Sequence, residues 1–171
     1  MKIKVLTLRE FAAMEMPSKK YIVDPFLPEN GLVEIYSKTG VGKTTFALNL
    51  GIAVALGKPF LKWGVPEAQK VLYIDGEMSP PDMKERAIAA SQYFGVDVSE
   101  IENFNILNRD VNNGLLPDIG ELSGQREFDL AIQDAKLIIL DNLSTLRFSG
   151  KENEADSWSI MQRWLLEMRG K

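Results

Sequence analysis

The sequence contains no cysteine and no histidine. The absence of cysteine excludes disulfide bonds and thiolate metal sites, and it makes the cytoplasm the expected compartment. The absence of histidine excludes a serine–histidine hydrolase and a histidine-ligated metal centre. Sites whose chemistry depends on cysteine or histidine are thus excluded.

Long apolar runs and runs of basic residues are missing as well. The apolar stretches are too short and too interrupted to span a bilayer, and residues 1–9 lack the pattern of a signal peptide. The 20 basic and 24 acidic residues give a net charge of −4, without a Lys and Arg cluster that would mark a nucleic-acid surface. This weakens a DNA-binding interpretation but leaves it open, because a protein can hold nucleic acid with a few loops although its overall charge is not basic.

The 171 residues do contain an alternation of strands and helices, which predicts an α/β fold with a mainly parallel sheet. Residues 1–30 are predicted to form a lead-in arm, of which residues 17–30 are expected to be a loop, and residues 31–171 are predicted to form the core domain. Val71–Asp75 is almost entirely apolar, as expected for a sheet covered on both faces. Trp158 and Trp164, in the last predicted helix, are expected to pack in the core. Strands are predicted at 32–36, 71–75, 104–107 and 137–141, and helices at 43–56, 79–94, 121–135 and 154–169.

A glycine-rich segment, residues 37–45, lies between the first predicted strand and an apolar helix, which is the context of a phosphate-binding P-loop. In such a loop, glycines let several backbone N–H groups point at phosphate oxygens, and the helix N-terminus favours negative charge. Lys43 is expected to reach the β- and γ-phosphates, and the Thr44 hydroxyl to bind Mg²⁺. Ser37 replaces the first glycine of the motif. The expected nucleotide-binding residues are Thr39, Gly40, Val41, Gly42, Lys43, Thr44 and Thr45.

Acidic residues follow two of the apolar strands. Asp141 ends the strand 137–141, where an aspartate of P-loop proteins holds Mg²⁺, usually through water. Glu77 comes just after the strand 71–75, where a carboxylate could orient or deprotonate the water that attacks the γ-phosphate. Asp75 is the second choice for that base, because it still lies within the strand. A solvated acid before a helix is the simpler alternative for Glu77, and an aspartate that caps the next turn is the simpler alternative for Asp141.

These motifs together resemble the RecA-like ATPases, especially the RepA-type branch of hexameric replicative helicases. The resemblance covers roughly residues 20–170 and is carried by residues 24–31, the P-loop, residues 73–78 and residues 137–144. It implies ATP and Mg²⁺ as ligands, with Lys43 and Thr44 on phosphate and metal, Asp141 on metal and Glu77 as the base. It also implies a homo-oligomeric ring with nucleotide between subunits, and single-stranded DNA as a partner.

The same resemblance predicts further strands after residue 171, so the chain is expected to be truncated at its C-terminus. The missing strand would lie between the P-loop strand and the magnesium strand, which would leave an open edge in the sheet. The arginine that a neighbouring subunit supplies to such sites is not indicated by the sequence. Arg86, Arg109 and Arg147 are only available for that role.

Two other functions remain open at this stage. A small-molecule or nucleotide kinase shares the P-loop, but residues 108–120, long enough for a lid, carry only Arg109. A nucleotide-binding regulatory module with little hydrolysis is the other alternative. Stimulation of ATP hydrolysis by single-stranded DNA would favour a helicase-like nucleic-acid motor, and phosphate transfer to a nucleoside monophosphate would favour a kinase.

Overall fold

A three-stranded parallel sheet forms the centre of the protein in a computed structural model that describes residues 3–148 and 154–169. The predicted α/β fold is thereby confirmed. The predicted arm begins at residue 1 and the predicted core ends at residue 171, and both of these residues lie outside the described ranges. The helices are α1 (Leu8–Ala12), α2 (Lys43–Leu56), α3 (Pro80–Tyr93), α4 (Leu122–Ile132), α5 (Leu143–Leu146) and α6 (Glu154–Met168). The strands are β1 (Tyr21–Val23), β2 (Leu27–Pro28), β3 (Val71–Asp75), β4 (Phe104–Asn108) and β5 (Leu137–Asp141).

The alternating side chains of β3 pack into two different cores. Tyr73 is buried with Leu48 of α2 and Met83 of α3 on one face of the sheet. Leu72 and Ile74 are buried on the other face, in a cluster that includes side chains of α4 and α6. Since successive side chains of a strand point to opposite faces, this arrangement explains why β3 is apolar at nearly every position. The sheet is therefore the middle layer of three.

Helix α2 runs antiparallel to the strands of the sheet. Its second half, at Ala53 and Val54, shares a buried cluster with Val71 and Leu137, which begin β3 and β5. Its first half, at Leu48, is instead buried with Tyr73, nearer the end of β3. The N-terminus of α2, and the loop that precedes it, therefore lie toward the edge of the sheet where the strands end.

Residues 32–36, predicted as the first strand, are not a strand in the structure. The segment has no regular secondary structure, and its apolar side chains are exposed, with Tyr36 at 88% exposure. The sheet order in the described residues is β4-β3-β5, so β5 pairs with β3 alone. A strand forms only when another strand supplies hydrogen-bond partners, and the described ranges contain none for this segment.

Two smaller predictions also need correction. The arm at residues 17–30 was expected to be a loop, but it contains the short antiparallel pair β1 and β2. Trp164 is buried as expected, whereas Trp158 is 43% exposed. Both tryptophans lie on α6, but only Trp164 faces the cluster formed with Phe128.

None of the helices in the described ranges has the length and apolarity that crossing a membrane requires.

Candidate active site

The P-loop segment ends where α2 begins. Gly40 and Gly42 have φ angles of 84° and 96°, which side chains with a Cβ rarely adopt, and a Cβ at either position would meet nothing within 4 Å. The Lys43 ammonium donates to the backbone carbonyl oxygens of Ser37 (2.9 Å) and Lys38 (3.2 Å). The Lys43 side chain thus contacts the backbone of the same loop that contains the two glycines.

The three parallel strands end in register with one another. Asp75 of β3 is opposite Asn108 of β4 on one side and Asp141 of β5 on the other. Glu77 follows two residues after Asp75. Because α2 runs antiparallel to these strands, the edge that carries the acids is also the edge toward which the P-loop lies. The segments predicted for phosphate, metal and base therefore all lie toward one edge of the sheet, and their roles at that edge remain predictions.

Asp75, the second choice for the base, is fully buried and hydrogen-bonded through both carboxylate oxygens. Its Oδ1 accepts the backbone N–H groups of Glu77 and Met78, each at 3.1 Å. Its Oδ2 accepts the side-chain amide of Asn108 at 2.6 Å. A carboxylate in this position shapes the turn that follows β3, and it has no access to water.

Asn108 connects that turn to the loop that follows β4. Its Nδ2 also donates to the carbonyl of Met78 at 2.9 Å, while its Oδ1 accepts the backbone N–H groups of Asp110 and Val111. The side chain is buried, so these contacts satisfy both ends of its amide. Asn108 was not among the predicted site residues, although it directly follows the predicted strand 104–107.

Asp141, predicted to hold Mg²⁺, accepts a hydrogen bond from the hydroxyl of Tyr73 at its Oδ2, at 2.5 Å. Burial raises the pKa of the Tyr73 phenol well above its ordinary value, and the hydrogen bond to Asp141 raises it further. The phenol therefore stays protonated and acts as a donor. Tyr73 was seen in the sequence only as part of a buried strand, so its contact with Asp141 was not anticipated.

Glu77 is exposed, and its Oε2 accepts the side-chain amide of Asn142 at 2.6 Å. The turn that carries Glu77 lies close against α5, because a Cβ on Gly76 would come within 2.5 Å of the Thr145 hydroxyl oxygen. The backbone N–H of Gly76 also donates to the carbonyl of Asp141 at 3.0 Å. Glycine at position 76 is thus required by the close approach of α5, in addition to any flexibility of the turn.

The donors at this edge fit Mg²⁺ bound together with a nucleotide better than a metal held by protein alone. No group of three or more histidine, cysteine or acidic residues in the described ranges could hold a metal ion. Mg²⁺ is commonly held by one or two protein oxygens, with water and phosphate completing its coordination. Thr44 at the start of α2 and Asp141 at the end of β5 are donors of that kind.

Comparison with known proteins gives one family-level result. A family model described as "AAA domain" matches residues 2–171. A search of curated proteins finds no match.

Proposed function

The chain belongs to the AAA domain family, and from that premise we propose that it binds ATP with Mg²⁺ and hydrolyses it as the ATPase core of a nucleic-acid motor. ATPase activity is what membership of this family suggests. The more specific proposal, a RepA-like helicase, rests in addition on the resemblance of residues 20–170 to those helicases. The observation that carries the proposal is the common edge of the sheet, toward which the P-loop, Glu77 and Asp141 all lie.

In this proposal, each group of residues at this edge has a separate role in hydrolysis. The backbone of residues 39–45 would hold the phosphates, and Lys43 would exchange its two carbonyl acceptors for phosphate oxygens. Thr44 and Asp141 would hold Mg²⁺, which neutralises the phosphate charge when it is bound. Glu77 would accept a proton from the attacking water, since its carboxylate is exposed whereas that of Asp75 is buried.

Self-association and a nucleic-acid partner belong to the same proposal. AAA-type domains commonly assemble into oligomers, and nucleotide sites of such assemblies are often completed by a basic residue of the neighbour. Arg86 on α3 is exposed and available for such a role, whereas Arg109 donates its Nε–H to the carbonyl of Gly114 within its own loop. Single-stranded DNA is the partner that the helicase resemblance suggests.

The test measures ATP binding and Mg²⁺-dependent hydrolysis by the wild type, with and without single-stranded DNA. We expect Lys43→Ala to weaken ATP binding by at least about 10-fold, and Glu77→Gln to bind ATP but to lose roughly 100-fold or more in kcat. Lys84→Ala and Glu85→Gln make the same changes at exposed positions of α3 and serve as controls.

The outcomes separate the candidate functions. DNA-stimulated hydrolysis supports the motor, whereas phosphate transfer to a nucleoside monophosphate would replace it with a kinase. ATP binding without hydrolysis, with or without DNA, would reduce the chain to a nucleotide-binding module. A wild-type chain that binds no nucleotide would refute the proposal at its first step.

A further inference from the structure

The side chain of Asn142 joins the proposed base to the helix that follows β5. Its Nδ2 donates to Glu77 Oε2 at 2.6 Å. At the other end of the amide, Oδ1 accepts the backbone N–H of Thr145 at 3.1 Å and the hydroxyl of Ser144. Asn142 is therefore the N-cap of α5 and a donor to Glu77 at the same time.

The acceptor bonds fix which end of the Asn142 amide faces Glu77. A flipped amide would place its NH₂ group against the N–H of Thr145 and would aim its oxygen at the carboxylate of Glu77. Both contacts would be unfavourable, so the donor end is held toward the acid. The capping interaction and the contact with Glu77 thus support a single orientation of this side chain.

The contact leaves Glu77 able to serve as a base. An ionised carboxylate has two oxygens that can each accept hydrogen bonds, and within the described residues Asn142 engages only Oε2. A free glutamate on the surface samples several rotamers, whereas a donor on one oxygen restricts them and aims the other oxygen. Fixing the base in this way increases the fraction of molecules in which it can meet the attacking water.

We propose that Asn142 is a positioning residue for Glu77, which holds the carboxylate in the orientation that lets Oε1 accept a proton from water. This inference rests on the proposed function. It assigns Asn142 no contact with nucleotide, so its loss should lower kcat and leave nucleotide affinity nearly unchanged.

Asn142→Ser is the decisive variant, because serine is also a good N-cap but its hydroxyl is too short to reach Glu77. We expect kcat to fall roughly 10-fold, the factor that matches one hydrogen bond to a charged group, with the dissociation constant for ATP within about 2-fold of wild type. Asn142→Asp also keeps a cap acceptor but places a second carboxylate against Glu77, and it should lose more activity than Asn142→Ser. Asn105→Ser, the same change at an exposed position of β4, is the matched control and should stay near wild type.

A double-variant comparison tests whether Asn142 acts through Glu77. In a Glu77→Gln background, Asn142→Ser should have little further effect on the residual rate, because the group that it positions is gone. A further 10-fold fall in that background would overturn the inference, since it would give Asn142 a separate role. An Asn142→Ser chain as fast as wild type, or faster, would overturn it as well.

The contact can also be tested without turnover. In asparagine-labelled protein, the side-chain amide signal of Asn142, assigned with Asn142→Ser, should move in Glu77→Gln and stay in place in Glu85→Gln. An unmoved signal in both variants would overturn the inference. A wild type that binds ATP without hydrolysing it would instead refute the proposed function and, with it, the kinetic role of Asn142. Active wild type with an unaffected Asn142→Ser refutes the inference alone.

Discussion

Replacing Asp75 with asparagine should destabilise the protein by about 2–4 kcal/mol, although the two side chains have the same shape. The new amide can keep its oxygen toward the N–H groups of Glu77 and Met78, but its NH₂ group then faces the NH₂ of Asn108 across 2.6 Å. Asn108 cannot turn its oxygen to the new donor without losing the N–H groups of Asp110 and Val111. One charged hydrogen bond is lost and two become neutral. The buried NH₂ of the new asparagine has no acceptor among these groups, and one N–H of Asn108 loses its acceptor.

The assay is urea unfolding at pH 7. With a slope of about 2 kcal/mol/M for a domain of this size, the midpoint should fall by about 1–2 M. Asp97→Asn is the matched control. Asp97 also accepts hydrogen bonds, from Ser99, but it is the solvent-exposed N-cap of the short 3-10 helix Val98–Glu100, where asparagine serves equally well. The control should stay within about 0.5 kcal/mol of wild type. An Asp75→Asn protein as stable as the control would refute the structural role assigned to this carboxylate.

Asn108→Asp extends the same reasoning to pH. It brings two carboxylates to 2.6 Å from each other, so one of them should keep a proton and have a raised pKa in the folded state. The folded protein then binds a proton that the unfolded chain releases above about pH 4, and its stability should rise as pH falls from 7 to 5, by up to about 1.4 kcal/mol per unit. In Asp75→Asn/Asn108→Asp the new amide can donate to the new carboxylate. The double variant should therefore be more stable than the sum of the two single changes predicts, by at least about 1 kcal/mol.

Three further predictions concern stability elsewhere. Because the folded state raises the pKa of Tyr73, the unfolded chain loses this proton first as pH rises above 10, and wild type should lose stability there by up to about 1.4 kcal/mol per unit. Urea titrations from pH 9 to 11 should show a weaker loss in Tyr73→Phe and the wild-type loss in Tyr93→Phe, whose ring is 62% exposed; equal slopes in all three would contradict the assignment. Trp164→Ala should cost about 3–5 kcal/mol, whereas Trp158→Ala, at a half-exposed position, should cost less than about 1 kcal/mol in the same assay. Gly76→Ala should cost about 1–3 kcal/mol, because its methyl carbon would lie 2.5 Å from a hydroxyl oxygen of α5, and an unchanged midpoint would show that α5 yields easily.

The elements that could be predicted are those whose signals are local. The helix from Lys43 to Leu56 was predicted with the bounds that the structure has, because Gly42 and Gly57, both with positive φ, flank it. Its apolar residues, and those of β3 and β5, specify burial on their own. Residues 32–36 have the same apolar character, yet they form no strand. A strand depends on a partner elsewhere in the chain, and no local pattern reports whether that partner is present.

The candidate site, like the fold, could be predicted only where its signals are local. A P-loop and acids at strand ends can be read from the order of residues, because parallel strands must end at one edge. The partners of those acids could not be read in this way, since Tyr73, Asn108 and Asn142 each contact an acid through a side chain from a different part of the sheet edge. Asn108 was the most accessible of the three, because it is the last residue of β4 and is opposite Asp75.

These hydrogen-bond partners help to decide whether Asp75 or Glu77 is the base. Asp75 is buried, and three donors occupy its two oxygens, so its carboxylate is committed to the shape of the turn. That turn is what carries Glu77 out of the sheet and into reach of Asn142. Removing Asp75 would therefore be expected to impair hydrolysis as well, by displacing Glu77, even though Asp75 never meets the substrate. Loss of activity in an Asp75 variant would not identify it as the base, whereas retention of ATP binding with a normal urea midpoint in Glu77→Gln would separate chemistry from folding.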